Sequence, residues 1–193
     1  MVSSKSGSTT ETMIGLEIVK QHFISRGYNF AHHAISISCK DSLLDKMAVD
    51  EGWSNRFHLW DFIGGRTSVA SSIGLAPLRA LGGDTSSFLR GMKEMDALCA
   101  TSWNDNPSAQ IASLLHDIHT HTGSVSIAAL PYRDNLSLLG RYLQQLFMES
   151  LGKRYDKDGE LVEFGVSVLG NKGSTDQHAL VQQLVDGPSN FLN

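Results

Sequence analysis

The chain has 193 residues, enough for one large domain or two small ones, and its net charge of −4 with scattered lysines and arginines argues against a nucleic-acid partner. Two cysteines, Cys39 and Cys99, provide neither a disulfide framework nor a pair of metal ligands, and no apolar run approaches the ~20 residues of a membrane helix. We therefore expect a cytoplasmic protein with no membrane and no nucleic-acid partner.

Helices and short strands alternate in the first half of the sequence. Apolar residues recur at helical spacing up to Gly27, which is a suitable residue to end a helix. The patterns predict, in order, the end of a strand at 2–3, a helix from about 14 to 27, a strand over 34–38, a helix over 43–52 capped by Asp41 and Ser42, an aromatic-rich loop over 53–62, and a helix over 68–81.

The same alternation continues in the second half, where Pro107 opens a helix and the apolar run 125–130 is typical of a buried strand. The patterns predict helices over 85–102 and 107–122, a strand over 125–130, a long helix over 136–151, a charged turn over 155–160, a strand over 164–169, a loop over 170–175 and a helix over 176–186. Alternating strands and helices indicate an α/β fold with a mostly parallel sheet.

The first candidate site is a hydroxyl-rich segment between the strand at 2–3 and the following helix. Helix N-termini bind anions through unpaired N–H groups, and glycine lets the backbone approach a ligand closely. The segment lacks the pattern of a nucleotide P-loop and suits a single phosphate monoester. The alternative is a helix cap rich in serine and threonine. The candidate phosphate ligands are Ser4, Lys5, Ser6, Gly7, Ser8, Thr9 and Thr12.

Four segments together resemble known proteins. The phosphate segment resembles the sugar-phosphate loop of sugar isomerase (SIS) domains, and 61–68, with its Gly-Gly-Arg, is similar to the arginine-bearing signature of glucose-6-phosphate isomerases. Residues 130–153 resemble that family's segment with the catalytic glutamate, and 170–178 its segment with the catalytic histidine. The resemblance spans essentially the whole chain and is nearest the cyanobacterial and plastid branch.

The resemblance implies a three-layer α/β/α fold of SIS type, incomplete at both termini. Residues 1–75 would be the C-terminal part of a first SIS domain, 76–105 a helical connection, and 106–193 the N-terminal part of a second. The family's C-terminal lysine motif does not occur in the sequence, so we expect weak or no activity from this chain alone. A full-length protein would be a homodimer.

The resemblance also assigns roles to single residues. Glu149 would move a proton between C1 and C2 of the sugar, and partial burial would help it by raising its pKa. Arg66 would stabilise the enediolate, and His178, contributed across subunits, would assist ring opening. Gly65 and Gln145 would contact the substrate. The reaction implied is the interconversion of glucose 6-phosphate and fructose 6-phosphate, a step of glycolysis and gluconeogenesis, with no metal and no cofactor.

Each of these residues has an alternative that does not depend on the family. Arg66 could be a surface arginine after a glycine turn, Glu149 could form an exposed helical pair with Lys153, and His178 could be a structural cap. A string of histidines at 116, 119 and 121 suggests a metal site, but no carboxylate motif follows it, and imidazoles also suit a helix C-terminus.

Two other functions compete with an isomerase. A non-catalytic SIS-type module that binds sugar phosphates would need the phosphate segment but neither Glu149 nor His178. A degenerate gene product would have no function of its own. The presence of both residues in the family's wording favours the enzyme.

Overall fold

The computed structural model describes residues 1–192, and the chain divides into two compact units, Met1–Lys93 and Glu94–Asn193. The division falls inside the segment 76–105 predicted as a connection. The elements run β1 Val2–Ser3, α1 Thr10–Ser25, β2 Ile35–Cys39, α2 Leu43–Asp50, β3 Asn55–Leu59, α3 Ser72–Ala80, α4 Thr85–Cys99, α5 Pro107–Thr122, β4 Val125–Ala129, α6 Leu139–Gln144, β5 Lys153–Tyr155, β6 Leu161–Phe164, β7 Val166–Gly170, α7 Val181–Asp186 and β8 Phe191–Leu192.

The first unit contains a three-stranded parallel sheet of order β1-β2-β3. Helix α1 connects β1 to β2 and helix α2 connects β2 to β3, as crossovers between parallel strands require. The central strand β2 has a strand on each side and is buried over Ser36–Ser38. The core residues of this unit are Leu16, Ala34, Leu44, Ala48 and Trp53.

The second unit contains a parallel sheet of order β7-β4-β8 and an antiparallel hairpin, β5-β6. Strand β4 is central and pairs with β7 from Val125↔Val166 to Ala129↔Gly170. Leu115 of α5 packs on Val125 and Val166 to form the core. The α/β class with parallel sheets is therefore confirmed. No helix in the described 192 residues is long and apolar enough to cross a membrane.

Local capping signals act where the sequence predicts them. The Ser42 hydroxyl accepts a hydrogen bond from the backbone N–H of Asp45 at 3.2 Å, which begins α2. Asn106 accepts the N–H of Ala109 at 3.1 Å at the start of α5, with Pro107 in the first turn. Gly123 ends α5 in the left-handed conformation, at φ 73°.

Several predicted elements differ from the structure in type or in bounds. The loop predicted over 53–62 contains β3, which sheet pairing imposes although four of its five residues are exposed. The charged turn over 155–160 is the tip of the hairpin β5-β6, and the strand predicted from 164 begins at Val166. The helix predicted from 136 begins at Leu139 and continues beyond α6 as a π-helical turn, Gln145–Glu149.

Candidate active site

The predicted phosphate segment forms a folded loop between β1 and α1. Ser4 is buried, and its hydroxyl accepts the N–H of Gly7 at 3.0 Å. The Ser6 hydroxyl lies 2.6 Å from that of Ser8 and accepts the Ser8 N–H at 3.1 Å. Thr9 is the N-cap of α1, but its side chain makes no capping hydrogen bond, and Thr12 is in the helix's first turn. Because the Thr9 side chain does not bond to them, the N–H groups of this first turn are available to an anion.

Gly7 is required by its position in the loop. It has φ +78°, and a Cβ atom there would lie 2.4 Å from the backbone nitrogen of Leu44. The loop backbone is also bonded to the turn before α2, because Lys5 O accepts the N–H of Cys39 and Ser6 O accepts that of Leu43, both at 3.0 Å. The loop therefore rests on the N-terminus of α2.

Lys5 connects the phosphate loop to the Gly-Gly-Arg segment. Its ammonium group donates to the backbone carbonyls of Asp61 and Ile63, the latter at 3.3 Å. Gly65 begins a 3₁₀ turn, Gly65–Ala70, in which Arg66 is half-buried. The Ser68 hydroxyl closes this turn on the Gly65 carbonyl at 2.7 Å. The phosphate loop and the arginine turn thus follow two strands of one sheet, β1 and β3, which are separated by β2 alone.

A buried carboxylate behind the phosphate loop was not predicted from the sequence. Asp45 is 3% exposed, and its Oδ1 accepts from Arg56 Nη1 at 3.0 Å and lies 3.3 Å from His58 Nε2. Its Oδ2 accepts the N–H of Asp41 at 2.9 Å. Burial raises the pKa of Asp45, but that N–H and the charges of Arg56 and His58 outweigh burial and lower it. The only sequence signal was its place three residues after Ser42 at a helix start.

Gln145 and Glu149 lie at the two ends of the π-helical turn. Gln145 Nε2 donates to Glu149 Oε2 at 3.1 Å, and both side chains are exposed. Partial burial was expected for Glu149, whereas in the structure of residues 1–192 it is exposed. The helix ends at Leu151 and Lys153 belongs to β5, so the helical Glu149–Lys153 pair considered from the sequence was wrong in its geometry. Single π turns inside α-helices are frequent at functional sites.

His178 lies exposed in a short 3₁₀ turn, Gln177–Ala179, beyond the loop that follows β7. Next to it, Gln177 Oε1 accepts the hydroxyl of Tyr132 at 2.6 Å and the N–H of Ser174 at 3.2 Å. Tyr132 belongs to the loop after β4, so this contact ties together the ends of neighbouring strands.

Two further contacts join the same two loops. The N–H of Gly173 donates to Pro131 O at 2.9 Å, and Lys172 forms an ion pair with Asp134. The hydrogen bond and charge of Lys172 lower the pKa of Asp134. We call the four-residue contact set Tyr132, Asp134, Lys172 and Gln177 the loop clamp.

Close backbone packing sets the position of the helix that leads to Glu149. A Cβ atom on Gly140 in α6 would lie 2.7 Å from Gly170 Cα, at the end of β7. Gln144 Nε2 donates to Val168 O in the same strand at 3.2 Å. The helix with Glu149 and the strand leading to His178 are therefore in direct contact.

The three histidines of α5 have separate surroundings. His116 Nδ1 lies 3.6 Å from Asp117 Oδ1, the His119 ring packs on Phe164 at 4.7 Å between centroids, and His121 Nδ1 lies 2.7 Å from Asp117 O. Within residues 1–192, no three histidine, cysteine or acidic side chains are grouped to hold a metal ion.

Comparison with known proteins gives a consistent picture. The family model described as phosphoglucose isomerase matches residues 1–192. A glucose-6-phosphate isomerase of Prochlorococcus marinus strain MIT 9301 is 47% identical over the whole chain, which covers 37% of that protein. The chloroplastic glucose-6-phosphate isomerase 1 of Arabidopsis thaliana is 48% identical over the whole chain, which covers 32% of it. The chain thus spans about a third of the length of these relatives.

Solved structures are similar to this chain over nearly its whole length. A crystal structure of a glucose-6-phosphate isomerase from Chlamydia trachomatis superposes with a TM-score of 0.83 at 29% identity, over 96% of this chain and 36% of that one. A hypothetical protein from Thermus thermophilus superposes with a TM-score of 0.87 at 32% identity, over 99% of this chain and 45% of that one.

Proposed function

This chain belongs to the phosphoglucose isomerase family, and from that premise we propose that it acts in the interconversion of glucose 6-phosphate and fructose 6-phosphate. One observation carries the proposal. In the first unit, the phosphate loop follows strand β1 and Arg66 follows strand β3. In the second unit, the loop with Tyr132 follows β4 and the loop with His178 follows β7. Each segment thus lies after the carboxyl end of a parallel strand, which is where open α/β sheets bind ligands.

In this proposal the protein binds the substrate through its phosphate group. The N–H groups at the start of α1 and the hydroxyls of the loop bind its oxygens, and the helix dipole favours its charge. The binding energy of this remote group holds the reacting carbons in place. Lys5 remains a proposed ligand of the phosphate, and its ammonium group also donates to the carbonyls of Asp61 and Ile63, which precede Gly65 and Arg66.

Glu149 is the proposed base. Its carboxylate removes the proton on C2 of the open-chain aldose, and the electron pair forms the C1–C2 double bond, leaving negative charge on O1. A proton moves from O2 to O1, and Glu149 returns its proton to C1, which gives the ketose. Gln145 Nε2, bonded to Glu149 Oε2 at 3.1 Å, orients the carboxylate. Arg66 stabilises the enediolate charge. C2 is oxidised from alcohol to ketone while C1 is reduced from aldehyde to alcohol, so there is no net redox change and no organic cofactor is needed.

His178 exchanges a proton with the ring oxygen, so that the cyclic sugar opens before Glu149 acts. We further propose that the active protein is a cytoplasmic homodimer in which His178 serves the neighbouring subunit's site. Its exposure within this chain is compatible with that role. Residues 1–75 and 106–193 would then be parts of two SIS domains joined by 76–105.

The test is an assay of fructose 6-phosphate conversion through a coupled dehydrogenase. Glu149→Gln should lower kcat by about 10²–10⁴-fold, the usual contribution of a positioned base. Glu160→Gln, which removes the same charge from the exposed hairpin tip, is the matched control and should keep wild-type turnover. Measurable turnover that is equal in wild type and Glu149→Gln would exclude Glu149 as the base.

Exchange of the C2 hydrogen with deuterium oxide separates proton abstraction from ring opening. His178→Asn should slow turnover of cyclic substrate more than it slows exchange of the open-chain form, whereas Glu149→Gln should abolish exchange. Binding of glucose 6-phosphate without any exchange in the wild type would instead identify a non-catalytic sugar-phosphate module.

A further inference from the structure

Asp45 is a charged residue almost fully excluded from solvent, and nothing in the proposed reaction uses it. A buried carboxylate is costly unless hydrogen bonds and opposite charges compensate it. Here both oxygens are occupied, Oδ1 by Arg56 and His58 from β3, and Oδ2 by the N–H of Asp41. The arrangement therefore joins a strand to a loop through one side chain of α2.

The loop that Asp45 holds has an unfavourable backbone conformation. Asp41 has φ +59°, in the left-handed region that non-glycine residues seldom occupy. The bond from its N–H to Asp45 Oδ2 keeps it there. The N–H of Ser42 then donates to Cys39 O at 3.2 Å, which closes the turn between β2 and α2.

This turn is the surface on which the phosphate loop rests. The two N–H groups that flank it, those of Cys39 and Leu43, donate to the carbonyls of Lys5 and Ser6, both at 3.0 Å. A carbonyl bonded to the turn is not free to face an anion and repel it. The turn thus fixes which backbone groups the loop offers to a phosphate, namely N–H groups rather than carbonyl oxygens.

We propose that Asp45 is a positioning residue for phosphate binding: through the Asp41–Ser42 turn it holds the carbonyls of Lys5 and Ser6 away from the anion. The inference rests on the proposed function only in taking the Ser4–Thr12 loop to bind phosphate. Arg56 and His58 support Asp45 from β3 through their contacts with its Oδ1.

The experiment compares Asp45→Asn with Asp50→Asn, which removes the same charge from the exposed end of the same helix. Hydrogen exchange of the Cys39 and Leu43 amides reports on the turn. The dissociation constant of inorganic phosphate, followed through the amide resonances of Gly7 to Thr9, reports on the loop. Asp45→Asn should speed exchange of both amides at least tenfold and weaken phosphate binding at least fivefold, and Asp50→Asn should change neither more than twofold.

Exchange of those amides within twofold of wild type in a folded Asp45→Asn protein would overturn the proposal. If Asp45→Asn does not fold, Arg56→Gln takes its place, because the Arg56 side chain is partly exposed. Amide exchange about threefold faster and phosphate binding about threefold weaker would support the proposal. Unchanged exchange would overturn it. If none of the proteins, wild type included, binds phosphate, the phosphate site of the proposed function fails, and amide exchange then decides only whether Asp45 holds the Asp41–Ser42 turn.

Discussion

Glycine at position 7 is a geometric requirement of the phosphate loop. Both the positive φ and the approach to Leu44 exclude a side chain. We expect Gly7→Ala to destabilise the chain by at least about 1–2 kcal/mol, the cost of a left-handed residue, and to abolish phosphate binding. Chemical denaturation and phosphate titration measure the two effects. Gly27→Ala is the control, because Gly27 also has positive φ but open space around its Cα; it should cost stability and leave phosphate affinity unchanged.

Asp45 also makes the stability of the chain depend on pH. Its pKa is lowered in the folded state from an ordinary value of 3.8, despite burial, by the Asp41 N–H and by the facing charges of Arg56 and His58. The unfolded chain therefore binds a proton more readily, and stability rises with pH in this range. The contribution of Asp45 is complete above 3.8 and is lost as the pH falls through the folded-state pKa.

Urea unfolding of wild type and Asp45→Asn at several pH values tests this. The free-energy difference between the two proteins should shrink as the pH falls below 3.8. A difference that stays constant down to pH 2 would show that Asp45 is not the titrating group. Asp50→Asn is again the control.

At the scale of elements, the contact between α6 and β7 controls where Glu149 lies. Because the Gly140 and Gly170 backbones touch, Gly140→Ala should push the helix outward, with a loss of about 1–3 kcal/mol typical of overpacking. We expect kcat to fall more than KM rises, since the phosphate loop belongs to the other unit. Gly91→Ala, in open space within α4, is the control and should be neutral or stabilising. Wild-type kcat in folded Gly140→Ala would contradict this.

The loop clamp gives a second prediction at this scale. Tyr132→Phe removes the hydroxyl that donates to Gln177 and keeps the ring packed against Gly173. We expect faster hydrogen exchange at Ser174, whose N–H shares that acceptor, and slower ring opening through a less ordered His178. Tyr155→Phe, in the exposed hairpin, should change neither. Unaltered exchange at Ser174 would mean that Tyr132 does not order the loop.

The elements that sequence patterns predicted are those with strong local signals. Helices α1, α2 and α5 have caps, glycine ends or a proline start, and β4 is apolar at every position except Ser126. Strand β3 has no such signal, since only Leu59 of its five residues is buried, and it forms because it pairs with β2 along its whole length. A π turn depends on one inserted residue and its packing, which no periodicity reveals.

The candidate site residues were predicted by resemblance to a family, whereas the residues that surround them were not predicted. Sequence motifs indicated Arg66, Glu149 and His178. The contacts of Lys5 with Asp61 and Ile63 were not predicted, because they join residues 56 and 58 positions apart in the sequence. The Asp45 network likewise joins α2 to β3 through side chains that look like ordinary surface charges in the sequence. Such long-range partners follow from strand order, which the sequence pattern did not specify.

On the scale of the whole chain, the two units have separate hydrophobic cores. Leu44 is completely buried in the first, and Leu115 is buried in the second. Leu44→Ala should cost about 2–5 kcal/mol and accelerate hydrogen exchange in β2 more than in β4. Leu115→Ala serves as its matched counterpart and should give the reverse pattern. Equal acceleration of both sheets by either variant would show that the chain unfolds as a single cooperative unit.

The strand order also has a consequence for synthesis on the ribosome. The described strands of the first unit's sheet all lie within the first 59 residues, so they can pair with one another once Leu59 has emerged. In the second unit β4 pairs with β8, and Ile127 meets its partner only when Leu192 has been translated. For the intervening 65 codons, one side of β4 lacks the strand that pairs with it among residues 1–192. A nascent chain would therefore expose a strand edge to chaperones and to other chains for longer in the second unit than in the first.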